Sequence, residues 1–476
     1  MSDTHLPLPE DRERERDSTA EMLEEVVDSG FSLSDERIAD IKEALYADDA
    51  QTLKTIFEDL SESDIADLLH KIDHEDRRDF FEKYADLITP EVYSYIDSDL
   101  RADMLSDMPS SAIARIISEL DSDDALDIIE DLEPEQQKAI LKKLSAKDRI
   151  ALEEGLNYPE DSAGRLMQRE YVAIPQFWTV GKTIDYLRAA ADELPEEFYD
   201  LIVIDPSYHV DGAIPLNRIV RAKRSEKIKD LALEDLYVIP ATMDQEEVAH
   251  LFRREDLGSA PVVDEDGRLI GVITIDDVID VIDEEAEEDL LNLAGVGSSD
   301  LYMSAVSTSW RRIRWLAITM FNTIIAAFVI SRFEATIEEI VALAILMPIV
   351  AAMGGNAGMQ VVTVTVRALA TRELSSQNYR RVIGKEMVVG IINGTVFGFL
   401  MGALAALWFG NPMLGIILTS AMLFNMFWAS VAGTLIPILL DKFGFDPALA
   451  AGPFLTTTTD VLGFLAFLGL ATLFLL

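Results

Sequence analysis

The chain has 476 residues, with 85 Asp and Glu against 40 Lys and Arg, five histidines and no cysteine, for a net charge of −45. This length has room for three or four domains, and the lack of cysteine excludes disulfides and thiolate metal sites. No basic patch for nucleic acid, Walker-type glycine-lysine loop or nucleophile elbow is present.

The charge is unevenly divided: residues 1–310 hold 77 acidic and 30 basic side chains, residues 311–476 only 8 and 10. All five histidines (His5, His70, His74, His209, His250) precede the apolar part. An imidazole-lined site in that part is therefore excluded, and hard, oxygen-liking cations remain as its metals. No basic stretch followed by an apolar core marks the N-terminus as a cleaved signal peptide.

Residues 1–34 read as a polar, solvated tail of alternating charge, as in Asp11-Arg12-Glu13-Arg14-Glu15-Arg16-Asp17. Residues 35–160 have helical period, in short elements punctuated by Thr89-Pro90-Glu91, Pro109-Ser110-Ser111 and Glu133-Pro134-Glu135. The stretch Ser61 to Leu69 returns 48 residues later as Pro109 to Ile117, with a fainter copy from Gln136 to Leu144. Repeated helix pairs burying one face against their neighbours predict a small superhelical α-solenoid with acidic outer faces. Asp123 and Asp127 stand four residues apart on one such face, where like charges repel unless a cation lies between them. A merely solvated face explains most of these carboxylates taken singly.

A second repeat then changes the period. Ile202 to Pro215 and Pro261 to Thr274 each predict strand, tight Asp/Gly turn, strand and helix, after a Tyr-Val-(x)-Ile-Pro entry at Tyr171 and Tyr237. The tandem resembles a pair of CBS domains, over 161–230 and 231–283, which implies small α+β sensor units packed face to face. Thr274-Ile275-Asp276-Asp277 is similar to the site where such domains hold a nucleotide ribose, so ATP or another adenine nucleotide is expected there, with Asp277 as a contact. The first copy has Pro215-Leu216-Asn217-Arg218 instead.

A long acidic helix follows from Asp277 to Leu291, with Val278, Ile282 and Ala286 on one stripe. It leads through a connecting segment, 284–309, that is expected to act as a lever or plug. From residue 310 onward five apolar segments are each long enough to cross ~30 Å of hydrocarbon: Trp315 to Ser331, Ile337 to Leu369, Met387 to Phe409, Met413 to Leu440 and Pro447 to Leu476. Arg311, Arg312 and Arg314 precede the first, the loop after it is acidic (Glu334, Glu338, Glu339), and the loop after the second is basic (Arg367, Arg372, Arg380, Arg381, Lys385). The excess of positive charge on that side predicts a cytoplasmic N-terminal part and an external C-terminus in a bacterial-type plasma membrane. The second segment contains Pro348 and Gly354-Gly355-Asn356-Ala357-Gly358, which predicts an irregular break lining a wet cavity, with close helix packing by the glycines alone as the alternative. The fifth carries Thr456-Thr457-Thr458-Thr459-Asp460, and only 16 residues follow that carboxylate. An ionised Asp at such depth is costly unless it meets water, an ion or a partner, so Asp460 is the leading functional residue.

The domain order, the Pro348…Gln360 stretch and Thr459-Asp460-Val461-Leu462-Gly463 together resemble the MgtE family of magnesium channels. That resemblance implies a homodimer in membrane lipid, with a pore for divalent cations between the two membrane halves. Asp460 matches the pore carboxylate, with Gly354, Gly355, Asn356 and Thr459 lining the path. Glu91, Asp123, Asp127, Asp244, Glu246, Asp256, Asp277, Asp280, Glu285, Glu288 and Asp289 match regulatory Mg²⁺ ligands. The chain is expected to be no enzyme. A proton- or sodium-coupled carrier of Mg²⁺ or Co²⁺ with a protonatable Asp460, and a nucleotide receptor anchored by its membrane part, are the alternatives. A salty cytoplasm is a rival cause of the acidity.

Overall fold

The computed structural model describes residues 33–106, 108–195, 198–233, 236–296 and 305–476. The polar tail, except its last two residues, and residues 297–304 of the connecting segment lie outside them. The chain forms two compact units, divided between Val278 and Ile279.

Among its described residues the first unit opens with nine short helices: α1 Asp35–Tyr46, α2 Ala50–Glu58, α3 Glu62–Lys71, α4 His74–Tyr84, α5 Ser98–Ser106, α6 Ser110–Ile117, α7 Ser122–Glu130, α8 Pro134–Leu141 and α9 Ala146–Gly155. Their starts follow local chemistry. Ser61 and Asp64 form a reciprocal capping box on α3, Ser145 caps α9 through the Asp148 N–H, and Pro134 sits in the first turn of α8, where its missing N–H costs nothing. The repeat has a packing basis, because Ile65, Ala66, Leu68 and Leu69 of α3 and Ile113, Ala114, Ile116 and Ile117 of α6 are all buried at matching positions.

After a short turn, α10 (Ala163–Leu166), two copies of one sheet follow. In the first, β1 (Ala173–Pro175) runs parallel to β2 (Asp200–Ile204), and β2 pairs antiparallel with β3 (Val210–Pro215); α11 (Val180–Ala189) and α12 (Leu216–Arg221) complete the copy. The second has β4 (Ile239–Pro240), α13 (Gln245–Glu255), β5 (Ser259–Val263) and β6 (Leu269–Thr274) in the same arrangement. Both hairpins shift register at the same place, between Val203 and Ile204 and between Val262 and Val263. In each turn an Asp side chain accepts two backbone N–H bonds, Asp205 from Ser207 and His209, Asp264 from Asp266 and Arg268. The left-handed position is Gly267 in the second turn (φ +79°) but Tyr208 in the first (φ +69°), which strains the tyrosine.

Helix α14 (Ile275–Ala294) leaves β6 without a break and continues past Val278 into the second unit. That unit holds α15 (Ala305–Ser331), the short α16 (Glu334–Glu339), α17 (Ala342–Ala370), α18 (Tyr379–Phe409), α19 (Pro412–Lys442) and α20 (Pro447–Leu475). Five of these, all but α14 and α16, are long and apolar enough to span a membrane. The core lies where α17, α19 and α20 meet, around Leu346, Val350, Leu418, Met422, Phe467 and Leu468. Every fourth residue of α18 from Gly390 to Gly402 is a buried glycine, and Gly394 and Gly398 would each place a Cβ 3.0 Å from α19 backbone. Small residues therefore bring α18 and α19 close enough for Thr419 Oγ1 of α19 to donate to the Gly398 carbonyl at 2.9 Å.

The expected break in the second segment is absent. Helix α17 is continuous from Ala342 to Ala370 with Pro348 inside it. Its glycines serve packing instead: a Cβ on Gly354 would overlap the Asn425 amide, and one on Gly358 would lie 2.7 Å from Leu455. Proline in a long apolar helix is tolerated where neighbouring groups satisfy the backbone it frees.

Candidate ion path and regulatory carboxylates

Asp460 lies in the middle of α20, partly buried, with no hydrogen bond or ion pair among the described residues. Apart from Glu386 near the start of α18 and Asp441 in the last turn of α19, it is the only carboxylate in α17 to α20. The threonines before it do not offer free donors. Thr456 and Thr457 both donate to the Pro453 carbonyl (3.1 and 2.6 Å), and Thr458 and Thr459 to that of Leu455 (2.9 and 3.0 Å). What these hydroxyls can still present is oxygen lone pairs, which suit a cation or its water. Thr459 is fully buried.

Of the other expected path residues, Asn356 is exposed and Gly354 buried, while a Cβ on Gly355 would meet nothing within 4 Å. Reading the sequence alone passed over Asn425 of α19. It is completely buried, donates from Nδ2 to the Val350 carbonyl of α17 at 2.9 Å, and has an Oδ1 with no partner. The available signal was an amide inside an otherwise apolar stretch.

In the first unit, one pair of the expected regulatory carboxylates is brought together across the chain. Asp123 of α7 and Asp277 of α14 crowd each other, and burial, reinforced by neighbouring carboxylates, raises both pKa values well above the usual range. Asp124 is raised by burial to about 6. Asp277 also accepts from the Thr274 N–H and hydroxyl, at 3.3 and 2.6 Å. Asp127, four residues from Asp123, turns elsewhere: buried Arg101 donates to it and to Asp131, each at 2.6 Å, and to the Tyr93 carbonyl at 3.2 Å. A guanidinium therefore stands beside Asp127, whose side chain stays 62% exposed. Glu91 is exposed in a 3₁₀ turn. Asp244 caps α13 through the Glu246 N–H at 2.9 Å, exposed Glu246 lies in the first turn, and Asp256 ends the helix at φ 52°.

In the second unit Asp280 and Glu288 are exposed, while Glu285 and Asp289 are partly buried. Burial, with the Asp446 and Glu288 charges, raises the pKa of Asp289 to about 6. Asn292 of α14 bridges the two partner carboxylates: its Nδ2 donates to Glu288 at 3.2 Å and to Asp446 at 3.1 Å, and Asp446 caps α20 through the Ala448 and Leu449 N–H groups. The end of α14 is thus tied to the start of the helix that carries Asp460. Among the described residues no three His, Asp or Glu side chains converge to hold a metal ion.

Residues 60–161 match the family "MgtE intracellular N domain", residues 228–284 "CBS domain" and residues 347–470 "Divalent cation transporter". "Magnesium transporter MgtE" of Bacillus subtilis is 37% identical over 321 residues, which cover 67% of this chain and 71% of that protein. The chain belongs to the MgtE family. The protein of the same name from Thermus thermophilus is equally similar, 37% identical over 67% of this chain and 71% of that one. Among solved structures, the cytosolic domain of the Mg²⁺ channel MgtE in complex with ATP is 29% identical, covering 51% of this chain and 99% of that chain, with a TM-score of 0.47. As an MgtE family member the chain is a multi-pass membrane protein that transports Mg²⁺, with its acidic part soluble. Its MgtE relatives are named as transporters, a role without catalysis.

Proposed function

We propose that this chain is a homodimeric channel that imports Mg²⁺ into the cytoplasm past Asp460 and is closed by Mg²⁺ on its acidic cytoplasmic carboxylates, with its C-terminus outside. The carrying observation is Asp460 itself, an unpaired carboxylate midway along an apolar helix. Leaving it ionised costs several kcal/mol without an ion or water beside it. One carboxylate from each of two copies, with threonine oxygens nearby, suits a hydrated Mg²⁺ better than a dehydrating cage. The chain has apolar surface for lipid and for a second copy, since Phe321 and Phe328 of α15 and Phe399 and Leu400 of α18 are exposed.

The brake rests on charge. Crowded carboxylates such as Asp123 with Asp277 repel when no cation intervenes, and Mg²⁺ would turn that repulsion into attraction. Moving a gate from 1:99 to 99:1 takes about 5.5 kcal/mol of differential binding, which several weak sites supply together. Glu91, Asp244, Glu246, Asp256, Asp280, Glu285, Glu288 and Asp289 are the further contributors, and the tie from Asn292 to Asp446 carries the change to α20. An adenine nucleotide at Thr274–Asp277 would have to take over the bonds these two residues make with each other.

The test is Mg²⁺ uptake by vesicles containing the full chain, compared with Asp460→Ala and Asp460→Asn. Both variants are expected to remain folded and dimeric and to lose uptake. Undiminished uptake in either removes Asp460 from the path, and a monomer in membranes removes the two-fold pore.

A further inference from the structure

The buried amide of Asn425 has no place in the path described above, and its surroundings are made for it. On one side α17 carries Gly354, where a Cβ would overlap the amide; on the other α20 carries Gly463, where a Cβ would lie 2.7 Å from Nδ2 and 3.1 Å from Oδ1. Two helices thus leave out a side chain at the level of a third helix's asparagine. The amide uses the space for one directed bond, Nδ2 to the Val350 carbonyl, and leaves Oδ1 fully buried with no partner.

Stability does not account for this choice. A buried acceptor without a donor is a cost that apolar groups of similar shape avoid. Leucine repeats the branched outline of asparagine and buries no orphan oxygen, though its methyl groups are bulkier than the amide. What leucine cannot supply is a bond with direction, which fixes how far α17 slides along α19. Packing against the same amide then fixes α20 at Gly463, three residues after Asp460 and ~4.5 Å further along the helix.

We infer that Asn425 is a positioning residue for Asp460: its amide bolts α17 to α19 and seats α20 at Gly463, which sets where the carboxylate stands. This rests on the reading of Asp460 as the group that meets the ion. A carboxylate holding a hydrated ion loses its fit when displaced by about 1 Å, so the bolt acts on ion affinity as well as on rate.

The experiment compares full-length wild type with Asn425→Leu, Gly463→Ala, the pair Asn425→Ala/Gly463→Ala, and Asp460→Asn, at equal amounts of reconstituted protein. Thermal unfolding and the concentration dependence of Mg²⁺ uptake are measured for each. Asn425→Leu is expected to shift its half-saturating Mg²⁺ at least threefold and to lower its maximal rate, by more than any change in its melting temperature from the bulkier methyl groups accounts for. Gly463→Ala is expected to be impaired in both, and the pair to regain the melting temperature without regaining the uptake constants. A melting temperature and rate that fall together at unchanged half-saturation would make Asn425 only a packing element and overturn the inference. So would a pair that regains both properties, since filling the slot would then suffice. Wild-type uptake by Asn425→Leu alongside a dead Asp460→Asn overturns the positioning role and leaves the path intact. Wild-type uptake by Asp460→Asn overturns both.

Discussion

Gly354 and Gly355 are neighbours in α17, and the structure predicts opposite consequences for adding the same methyl group to each. At Gly355 a Cβ meets nothing within 4 Å. Only helix propensity then changes, so Gly355→Ala is expected to gain about 0.8–1 kcal/mol. At Gly354 the same atom overlaps the Asn425 amide, and that side chain cannot swing away because it is completely buried and bonded to Val350. Overpacking of this kind costs about 1–3 kcal/mol, so after the propensity gain Gly354→Ala is expected to be destabilised by up to about 2 kcal/mol. At the ~2–4 °C per kcal/mol usual for 150–250 residues, the two melting temperatures should separate by several degrees. Thermal unfolding in detergent measures this directly. Gly355→Val, added to the same set, is expected to block Mg²⁺ flux while the chain stays folded, because the open space beside position 355 is read as the ion path. Normal conduction by Gly355→Val would show that this space faces lipid or a partner helix. Equal stabilities for the two alanine variants would refute the packing argument itself.

Neutralising Asp280, Glu285 and Glu288 together is expected to give a channel that conducts at millimolar internal Mg²⁺, read by patch recording; a variant that still closes normally places the brake elsewhere. Arg101→Ala leaves Asp131, whose side chain is only 12% exposed, without its cation, while Asp127 at 62% regains water, so a loss near the lower end of 3–5 kcal/mol is expected in urea unfolding. Tyr208→Gly relieves a left-handed tyrosine and should stabilise the first hairpin by about 1 kcal/mol; a destabilised variant would show that the ring's contacts outweigh the strain. Burial raises the Asp200 pKa above its ordinary 3.8, only partly offset by the Ser259 hydroxyl. The folded chain therefore holds this proton at a pH where the unfolded chain has released it, and acidification through the raised value adds stability. Asp200→Asn should then be more stable than wild type at pH 7 and lose that advantage below pH ~4; an advantage independent of pH would exclude the charge as its cause.

Local signals carried much of this architecture. Two of the three proline signals marked helix starts, with Pro109 just before α6 and Pro134 in the first turn of α8, where a missing N–H costs nothing, while Thr89-Pro90-Glu91 opened only a 3₁₀ turn. The echo across 48 residues marked real equivalence, since the same four positions are buried in α3 and α6. Asp/Gly turns announced both hairpins, although only the structure showed that Tyr208 stands where Gly267 does. The apolar runs announced five helices of membrane length; the last two start within a residue of their reading, after the caps Asn411 and Asp446, while the first and third start ten and eight residues earlier, at Ala305 and Tyr379, because helix continues through polar sequence that an apolar run does not include.

The glycines of α17 were misread for a physical reason. Pro348 and three glycines within five residues lower helix propensity, and propensity is the only term a sequence displays. In the folded unit the neighbouring helices supply contacts that outweigh it, and the missing side chains become room for Asn425 and Leu455.

The sequence by itself determined the division into an acidic soluble part and an apolar part, the order of their elements, and the isolation of Asp460, because charge, hydrophobic length and period are properties of neighbours along the chain. Only the tertiary structure decided that Arg101 takes Asp127, that Asp123 meets Asp277, and that Asn425 lies between Gly354 and Gly463. Those pairings join residues from 26 to 154 positions apart. Which distant groups meet is set by how packed faces exclude water and satisfy one another's hydrogen bonds, and nothing along the chain records it.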